Sequence, residues 1–242
     1  MPLVLGFDIT KTLVIVSHPR IKDSYTQSFL KNAQSDFDQV TWHPLDQLYP
    51  DCRIDVTHER RLLINYDRII FQFPLYWYSA PALLKQWEDQ VLSRRLANAN
   101  HGGYLRHKQF GLVVTLGLPL KSYQAGGGEH FSLSTLLTPY QAVARRAGMH
   151  YLPPFLIAQF FYQTPASEAK ILVDYQNYLT NQHPFNFRSR IQWVLKQLKT
   201  LAPASPTHRI IFRSVLAQIR RNQRQLDDLK RQVNLAKRKD DE

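Results

Sequence analysis

The chain predicts an open α/β fold, a five-stranded parallel sheet with helices on both faces. Five short runs are apolar and rich in β-branched residues without alternating polar positions, as strands buried on both sides are. Segments with helical spacing separate them, so crossovers rather than hairpins join the strands. Crossovers of this kind are right-handed, which leaves few topologies.

Thr12–Ser17 (TLVIVS) is the first run, ended by His18-Pro19 because proline cannot continue a ladder. Ser24 then caps a helix that runs through Phe29 and Leu30 to Ala33. Val40–Leu45 is the second strand, interrupted by Pro44, and Thr57 with Arg60-Arg61-Leu62-Leu63 predicts a short helix. Arg68–Phe73 is the third strand. Pro81 suits the first turn of the next helix, where Leu83, Leu84, Trp87, Val91 and Leu92 recur at three- and four-residue spacing. Phe110–Leu116 (FGLVVTL) is the fourth strand, followed by a glycine-rich loop from Gly117 to Gly128. Leu136–Ala147 reads as one helix stopped by Gly148, Phe155–Phe161 as the fifth strand, and Ala166–Leu179 as a further helix.

At 242 residues, 44% of them hydrophobic, the chain can form one domain with an appendage or two small domains. Cys52 is the only cysteine, which excludes an intramolecular disulfide and a cysteine-based metal site. It also fits a reducing, cytoplasmic compartment. No run of 18 apolar residues occurs, so no membrane-spanning helix is expected. The first residues, MPLVLGFDIT, lack a basic stretch and a small-residue cleavage site, so no signal peptide is expected either. Net charge is +12, and residues 185–242 carry +9 of it, with fourteen Lys/Arg against five Asp/Glu. The tail could therefore meet nucleic acid or an anionic membrane surface; no nucleic-acid motif accompanies the charge, which disfavours the first.

In open α/β sheets, ligands sit outside the carboxyl ends of the strands. A G-x-G-x-x-G after the first strand is absent, which argues against a dinucleotide fingerprint. Three loops occupy the right places. His18–Ser24 offers an imidazole, a hydroxyl, backbone N–H groups and a following helix N-terminus, a set that suits phosphate; a plain helix cap beside a surface histidine is the alternative. Pro74–Tyr78 holds three consecutive aromatics that cannot all face one core in a regular element, so they offer faces to a planar ring; core packing is the alternative. Thr115–Tyr123 has small residues that let backbone approach a ring, with the Tyr123 phenol nearby; an ordinary flexible loop is the alternative. Together the three loops make a site of the size of flavin mononucleotide.

Four stretches also occur in a familiar order: VSHPRIKDSYTQ, LDQLYPDCRIDVTHE, FQFPLYWYSAPALLKQWEDQVL and GGGEHFSLSTLLTPYQAVARRAGMHYLPPF. Over residues 11–180 the chain resembles the flavodoxin-like NAD(P)H:quinone oxidoreductases, most closely the flavoprotein subunits of glutathione-gated potassium efflux systems. The resemblance implies a flavodoxin-like domain over 11–183, FMN as the favoured flavin with FAD the alternative, NADPH or NADH as electron donor, and a quinone or similar acceptor. A homodimer is expected. The resemblance assigns the flavin phosphate to His18 and Ser24, with Gln27 standing where relatives have Asn, and the ring to Pro74, Leu75, Tyr76, Trp77 and Tyr78. Thr115, Leu116, Gly117 and Leu118 replace a Thr-Thr-Gly-Gly run, which removes a side-chain donor and some backbone freedom. Arg95–Gly103 departs too, lacking a tyrosine common in relatives.

The implied mechanism is hydride delivery from NAD(P)H to flavin N5, then two-electron transfer to a quinone in the same space. Backbone donors of Thr115–Leu118 would stabilise negative charge near flavin N1. Tyr123 matches a family tyrosine able to donate to a quinone oxygen, and His130 is a second candidate; Glu129 reads as a surface carboxylate. The competing reading is a flavodoxin-like regulatory subunit that binds a membrane transporter at the inner face of the membrane and uses flavin little. The altered Thr115–Leu118 loop and the basic tail favour it.

The resemblance stops near Pro184. Ile191, Val194, Leu195 and Leu198 keep helical spacing, and Ala202–Pro206 reads as a linker. Phe212, Val215, Ile219, Asn222, Leu226, Leu229, Val233 and Ala236 then alternate at three and four, a heptad seam with one polar interruption. Residues 184–242 thus read as a basic helical extension with a coiled-coil segment over 208–239. Its partner is a second copy, another protein such as a transporter, or, for a basic amphipathic helix, an anionic membrane surface. A solvated tail without a partner is the plain alternative.

Overall fold

Six strands form one parallel sheet in the computed structural model, which describes residues 10–97, 103–200, 213–214, 217–219, 221–222, 224–226, 228–229 and 231–233. They are β1 (Thr12–Val16), β2 (Val40–Pro44), β3 (Arg68–Pro74), β4 (Gln109–Leu116), β5 (His150–Tyr151) and β6 (Phe155–Ala158). The order is β2-β1-β3-β4-β5, and β6 also pairs with β4. β5 lies against Gln109 and Phe110 and β6 against Val113–Leu116, so two short strands share the fifth position. The expected fifth strand, Phe155–Phe161, begins where expected but ends at Ala158, and a separate short strand, β5, precedes it. Pro153 and Pro154 offer no N–H to the ladder and split it from β5. Gln159 turns into the left-handed region (φ 48°), and Phe160–Tyr162 forms a 3₁₀ turn. β2 continues through Pro44, which an edge strand tolerates, and a helical turn, α2 (Leu45–Leu48), that the sequence reading did not anticipate follows at once.

The crossover helices are α1 (Tyr25–Gln34), α3 (Val56–Ile64), α4 (Ala82–Val91), α5 (Arg94–Ala97), α6 (Leu133–Leu136), α7 (Thr138–Ala147) and α8 (Pro165–Thr180). Ser24 caps α1, its Oγ accepting the Gln27 N–H at 3.2 Å. Gly148 closes α7 in the left-handed conformation, φ 68°. The expected single helix Leu136–Ala147 is two, broken at Leu137, because Pro139 suits a helix start and not a helix interior.

Both sheet faces are covered, which is why the strands lack alternation. Leu13 and Ile15 of β1 join one apolar cluster with Leu63 of α3, Trp87 of α4 and Tyr140 of α7. Val14 and Val16 join another with Leu30 of α1 and with Tyr175 and Tyr178 of α8. Gly111 of β4 admits that second layer, since a Cβ there would overlap the Tyr178 hydroxyl, which accepts the Leu112 N–H at 3.2 Å. Arg68, fully buried at the start of β3, donates to the carbonyls of Tyr178, Asn181 and Gln182 as α8 ends, where a cation complements the helix dipole. Burial lowers its pKa to about 10.

A buried carboxylate ties the other layer together. Glu59 accepts from His43 Nε2 (2.8 Å), the Tyr49 hydroxyl (2.5 Å) and Trp87 Nε1 (2.8 Å), linking β2, α3 and α4. Burial alone would raise its pKa; these donors outweigh burial and hold it below the usual carboxylate value.

The chain divides into two compact units after Phe185. In the second, α9 (Phe187–Thr200) carries Ile191, Val194, Leu195 and Leu198. The linker 202–206 and the seam positions Phe212, Val215 and Ala236 lie outside the described residues. Ile219, Asn222, Leu226, Leu229 and Val233 are helical. Among the described residues no helix is long and apolar enough to cross a membrane.

Candidate functional site

From β1 the chain passes first to β2 on one side and later to β3 on the other, so a crevice opens above the carboxyl ends of β1 and β3. The loops after β1, β3 and β4 surround it. All three were singled out in the sequence, and hydrogen bonds and ring contacts join them here.

In the first loop the His18 N–H donates to Asp46 Oδ2 (2.7 Å), and His18 Nδ1 accepts the Arg20 N–H (3.2 Å). That acceptor role puts the proton of the neutral ring on Nε2. Burial lowers the His18 pKa, more than Asp46 raises it, so the ring is neutral near pH 7 and offers one N–H. Ser24 accepts from Gln27 and has its own hydroxyl proton to donate. Gln27 itself is buried: its Oε1 accepts from Gln72 Nε2 (2.6 Å), and Gln72 Oε1 accepts from the Tyr175 hydroxyl (2.8 Å). The Ser17 N–H meets the Gln72 carbonyl at 3.0 Å. Two side-chain atoms of this cluster, Ser17 Oγ and Gln27 Nε2, are buried without a hydrogen-bond partner among the described residues. Such orphans are costly and call for an absent partner.

The second loop leaves β3 at Pro74, and the Leu75 N–H donates to the Thr115 carbonyl (2.9 Å), which fastens it to β4. Tyr76 and Ser79 exchange both backbone hydrogen bonds, at 2.9 and 3.0 Å, around a two-residue turn. Trp77 and Tyr78 occupy its centre at φ 48° and 64°, the sign pattern of a type I′ turn usually built from Asn and Gly. Bulky residues in the left-handed region cost about 1–2 kcal/mol each, a strain characteristic of functional sites. Trp77 is 94% exposed, and Tyr76 and Tyr78 are about half exposed, so the three aromatics do not fill the core. The His18 ring meets Tyr76 edge-on with centroids 6.2 Å apart, joining the first two loops. Tyr140 hydrogen-bonds Ser79 and Ala80 at the far end of the turn, its own pKa pushed up to about 12 by burial.

In the third loop Thr115 is half-buried, Leu116 buried and Leu118 exposed; a Cβ on Gly117 would meet nothing within 4 Å. A 3₁₀ turn, Leu120–Tyr123, buries Tyr123. Burial raises the Tyr123 pKa, and the Glu129 carboxylate and Tyr78 add to it. Glu129 also bonds the Tyr78 hydroxyl and raises its pKa. Tyr78, Tyr123 and Glu129 therefore form one polar cluster bridging the second and third loops, and Glu129 is no idle surface carboxylate. Gly127 sits where a Cβ would come within 2.5 Å of the Lys121 and Ser122 carbonyl oxygens, so the loop closes only around glycine. His130 is exposed at φ 59°.

Sequence reasoning missed Ser17, Gln72, Glu129 and Tyr140. Gln72 had a signal, a lone polar residue inside an otherwise apolar strand. Of the altered Arg95–Gly103 segment, residues 98–102 lie outside the described residues.

The residues fit the phosphate-bearing flavin that this fold suggests, because the orphaned Ser17 Oγ and Gln27 Nε2 stand beside the neutral His18 and the helix-capping Ser24. Residues 10–181 match the family described as having a flavodoxin-like fold. A protein of Bacillus subtilis (strain 168) named as an uncharacterized NAD(P)H oxidoreductase, YdeQ, is 42% identical over 196 residues, 80% of this chain and 98% of that relative. The crystal structure of an NADPH-quinone reductase from P. pentosaceus is 44% identical, with a TM-score of 0.66 over 71% of this chain and 98% of its own. That of general stress protein 14 from Treponema denticola, in complex with FMN, is 34% identical, with a TM-score of 0.64 over 70% of this chain and 97% of its own. With its order of strands, its crevice and these likenesses, the chain belongs to the flavodoxin-like fold family.

Proposed function

We propose that this chain is an FMN-dependent NAD(P)H:quinone oxidoreductase of the cytoplasm, its catalytic domain spanning 11–183 and its basic helical extension 184–242. The observation that carries the reading is the pair of orphaned buried polar atoms, Ser17 Oγ and Gln27 Nε2, at the β1–β3 crevice beside an exposed aromatic turn. The oxidoreductase and quinone-reductase names of the similar proteins, and the FMN held by one of them, support it.

His18 Nε2–H, the Ser24 hydroxyl, Ser17 Oγ and Gln27 Nε2 are the donors for the phosphate end. Pro74, Leu75, Tyr76, Trp77 and Tyr78 hold the ring from one side, and Thr115, Leu116, Gly117 and Leu118 from the other. Held there, FMN would supply two-electron, hydride-level redox chemistry between NAD(P)H and the acceptor. Tyr123 serves the acceptor oxygen. Its raised pKa keeps the phenol protonated across the physiological range, so it donates a hydrogen bond as negative charge develops there. Glu129 orients that phenol together with Tyr78, and His130 is the second candidate donor.

The test is a flavin titration of flavin-free protein, read by quenching of flavin fluorescence. FMN should bind at least about tenfold more tightly than riboflavin, since charge-assisted hydrogen bonds to phosphate exceed 1.4 kcal/mol together. His18→Ala with Ser24→Ala should abolish that preference. Equal affinity for the two flavins in the wild-type protein would overturn the assignment. A regulatory subunit that leaves flavin idle would bind FMN yet fail to oxidise NADPH.

A further inference from the structure

The tail carries a surface that flavin chemistry leaves unused. In the heptad frame that begins at Phe212, Ile219, Leu226 and Val233 take a positions, and Asn222 and Leu229 take d positions. Leu226, Leu229 and Val233 are 38%, 57% and 52% exposed on their helix. In water, an apolar seam of this kind gains its stability by packing against another helix.

We propose that this helix pairs with its counterpart in a second copy of the chain, as a parallel, in-register coiled coil with Asn222 facing Asn222. The polar seam residue decides the geometry. Parallel, in-register pairing sets each d layer against itself, so one amide meets another and the two can exchange hydrogen bonds. Antiparallel pairing sets d against a, and every a position from Phe212 to Val233 is hydrocarbon. A slip of one heptad puts Asn222 opposite Val215 or Leu229. Either alternative sets the Asn222 amide against hydrocarbon, where its N–H groups find no acceptor across the seam, which is costly.

Charge placement points to the same partner. Residues 208–239 hold ten Lys/Arg against two Asp, a composition that should repel its own copy. Yet the g positions Gln218, Gln225 and Gln232 are uncharged, and the e positions they face are Gln223, Lys230 and Lys237. Contacts from g to the facing e are then Gln to Gln and Gln to Lys, while Arg220, Arg221, Arg224 and Arg231 lie at b, c and f, away from the seam. An acidic partner helix would be met by cations at both flanks instead. Gln218 also steadies the seam: its Nε2 donates to Asn222 Oδ1 at 2.8 Å, and its Oε1 accepts from Arg221 at 2.7 Å.

This inference stands apart from the flavin reading and is tested apart from it. Full-length protein carrying Cys52→Ser receives one new cysteine, either Leu229→Cys on the seam or Arg224→Cys on the outer face, and is oxidised gently. The seam cysteine should form a disulfide-linked dimer at least about tenfold faster than the outer one, because disulfide geometry demands close and facing Cβ atoms. Val233→Cys against Arg231→Cys should repeat the contrast. Equal rates, or no cross-link at either seam cysteine, would overturn the proposal. So would uptake of the uncross-linked chain onto phosphatidylglycerol vesicles that Leu226→Glu with Leu229→Glu abolishes, since the membrane would then be the occupant.

Discussion

Replacing Glu88 by glutamine should stabilise the protein, and only above a definable pH. Glu88 lies on α4 with its side chain 9% exposed, and its Oε1 has no hydrogen-bond partner among the described residues. The nearest cation, Lys85 Nζ, is 3.9 Å from Oε2 and itself 64% exposed. Burial pushes the Glu88 carboxyl up to about 7; Lys85 opposes this and Asp89 adds to it. In the unfolded chain the same group titrates near its ordinary 4.5. Between those values the folded state binds the extra proton, so stability falls as pH rises through the window and stays lower above it. The separation from 4.5 to about 7 corresponds to about 3 kcal/mol at 1.36 kcal/mol per pH unit. Glu88→Gln keeps the shape and removes the charge. For a domain of this size the gain at pH 8 amounts to roughly 6–12 °C in Tm, shrinking to little at pH 4. Melting curves of both proteins across pH 4 to 8 measure it. A pH-independent difference, or a variant less stable at pH 8, would refute the reasoning, because the carboxylate would then be paired rather than stranded.

Three further substitutions separate fold from site. Trp77→Ala removes a side chain that is 94% exposed, so thermal stability should change by less than about 0.5 kcal/mol. FMN Kd should rise about tenfold through lost ring contact; a lowered Tm with unchanged FMN Kd would deny Trp77 its place at the ring. Ser17→Ala removes a buried hydroxyl without a partner, so flavin-free protein should gain about 1 kcal/mol while FMN binding weakens severalfold; melting with and without FMN reads both, and equal changes in the two states contradict the assignment. Gly127→Ala drives a Cβ into the Lys121 and Ser122 carbonyls, at about 1–3 kcal/mol. It should raise the quinone KM through a displaced Tyr123 and leave FMN Kd near wild type, so a change confined to FMN Kd would place this loop elsewhere.

The central strands were readable because both their faces are buried, so Leu13–Val16, Ile69–Phe71 and Phe110–Val114 within them are continuous apolar runs. Ser24 and Gly148 were readable because capping depends on one residue's own chemistry. Leu136–Ala147 misled because apolar spacing persists across the break, and only Pro139 marks it. The aromatic turn was visible as a cluster, but its form was not: Tyr-Trp-Tyr-Ser has none of the Asn or Gly that usually announces two positive φ values. Neither Ser17 with Gln27 nor Tyr78 with Glu129 and Tyr123 could be paired from spacing. Those groupings come from β1, β3 and β4 lying side by side, which hydropathy does not encode.

Anaerobic half-reactions of the purified, FMN-reconstituted full-length protein test the central claim most directly. NADPH should bleach the flavin absorption band stoichiometrically, and a benzoquinone added afterwards should restore it. A protein that holds no flavin after reconstitution, or one whose flavin NADPH and NADH both leave oxidised, would contradict the account.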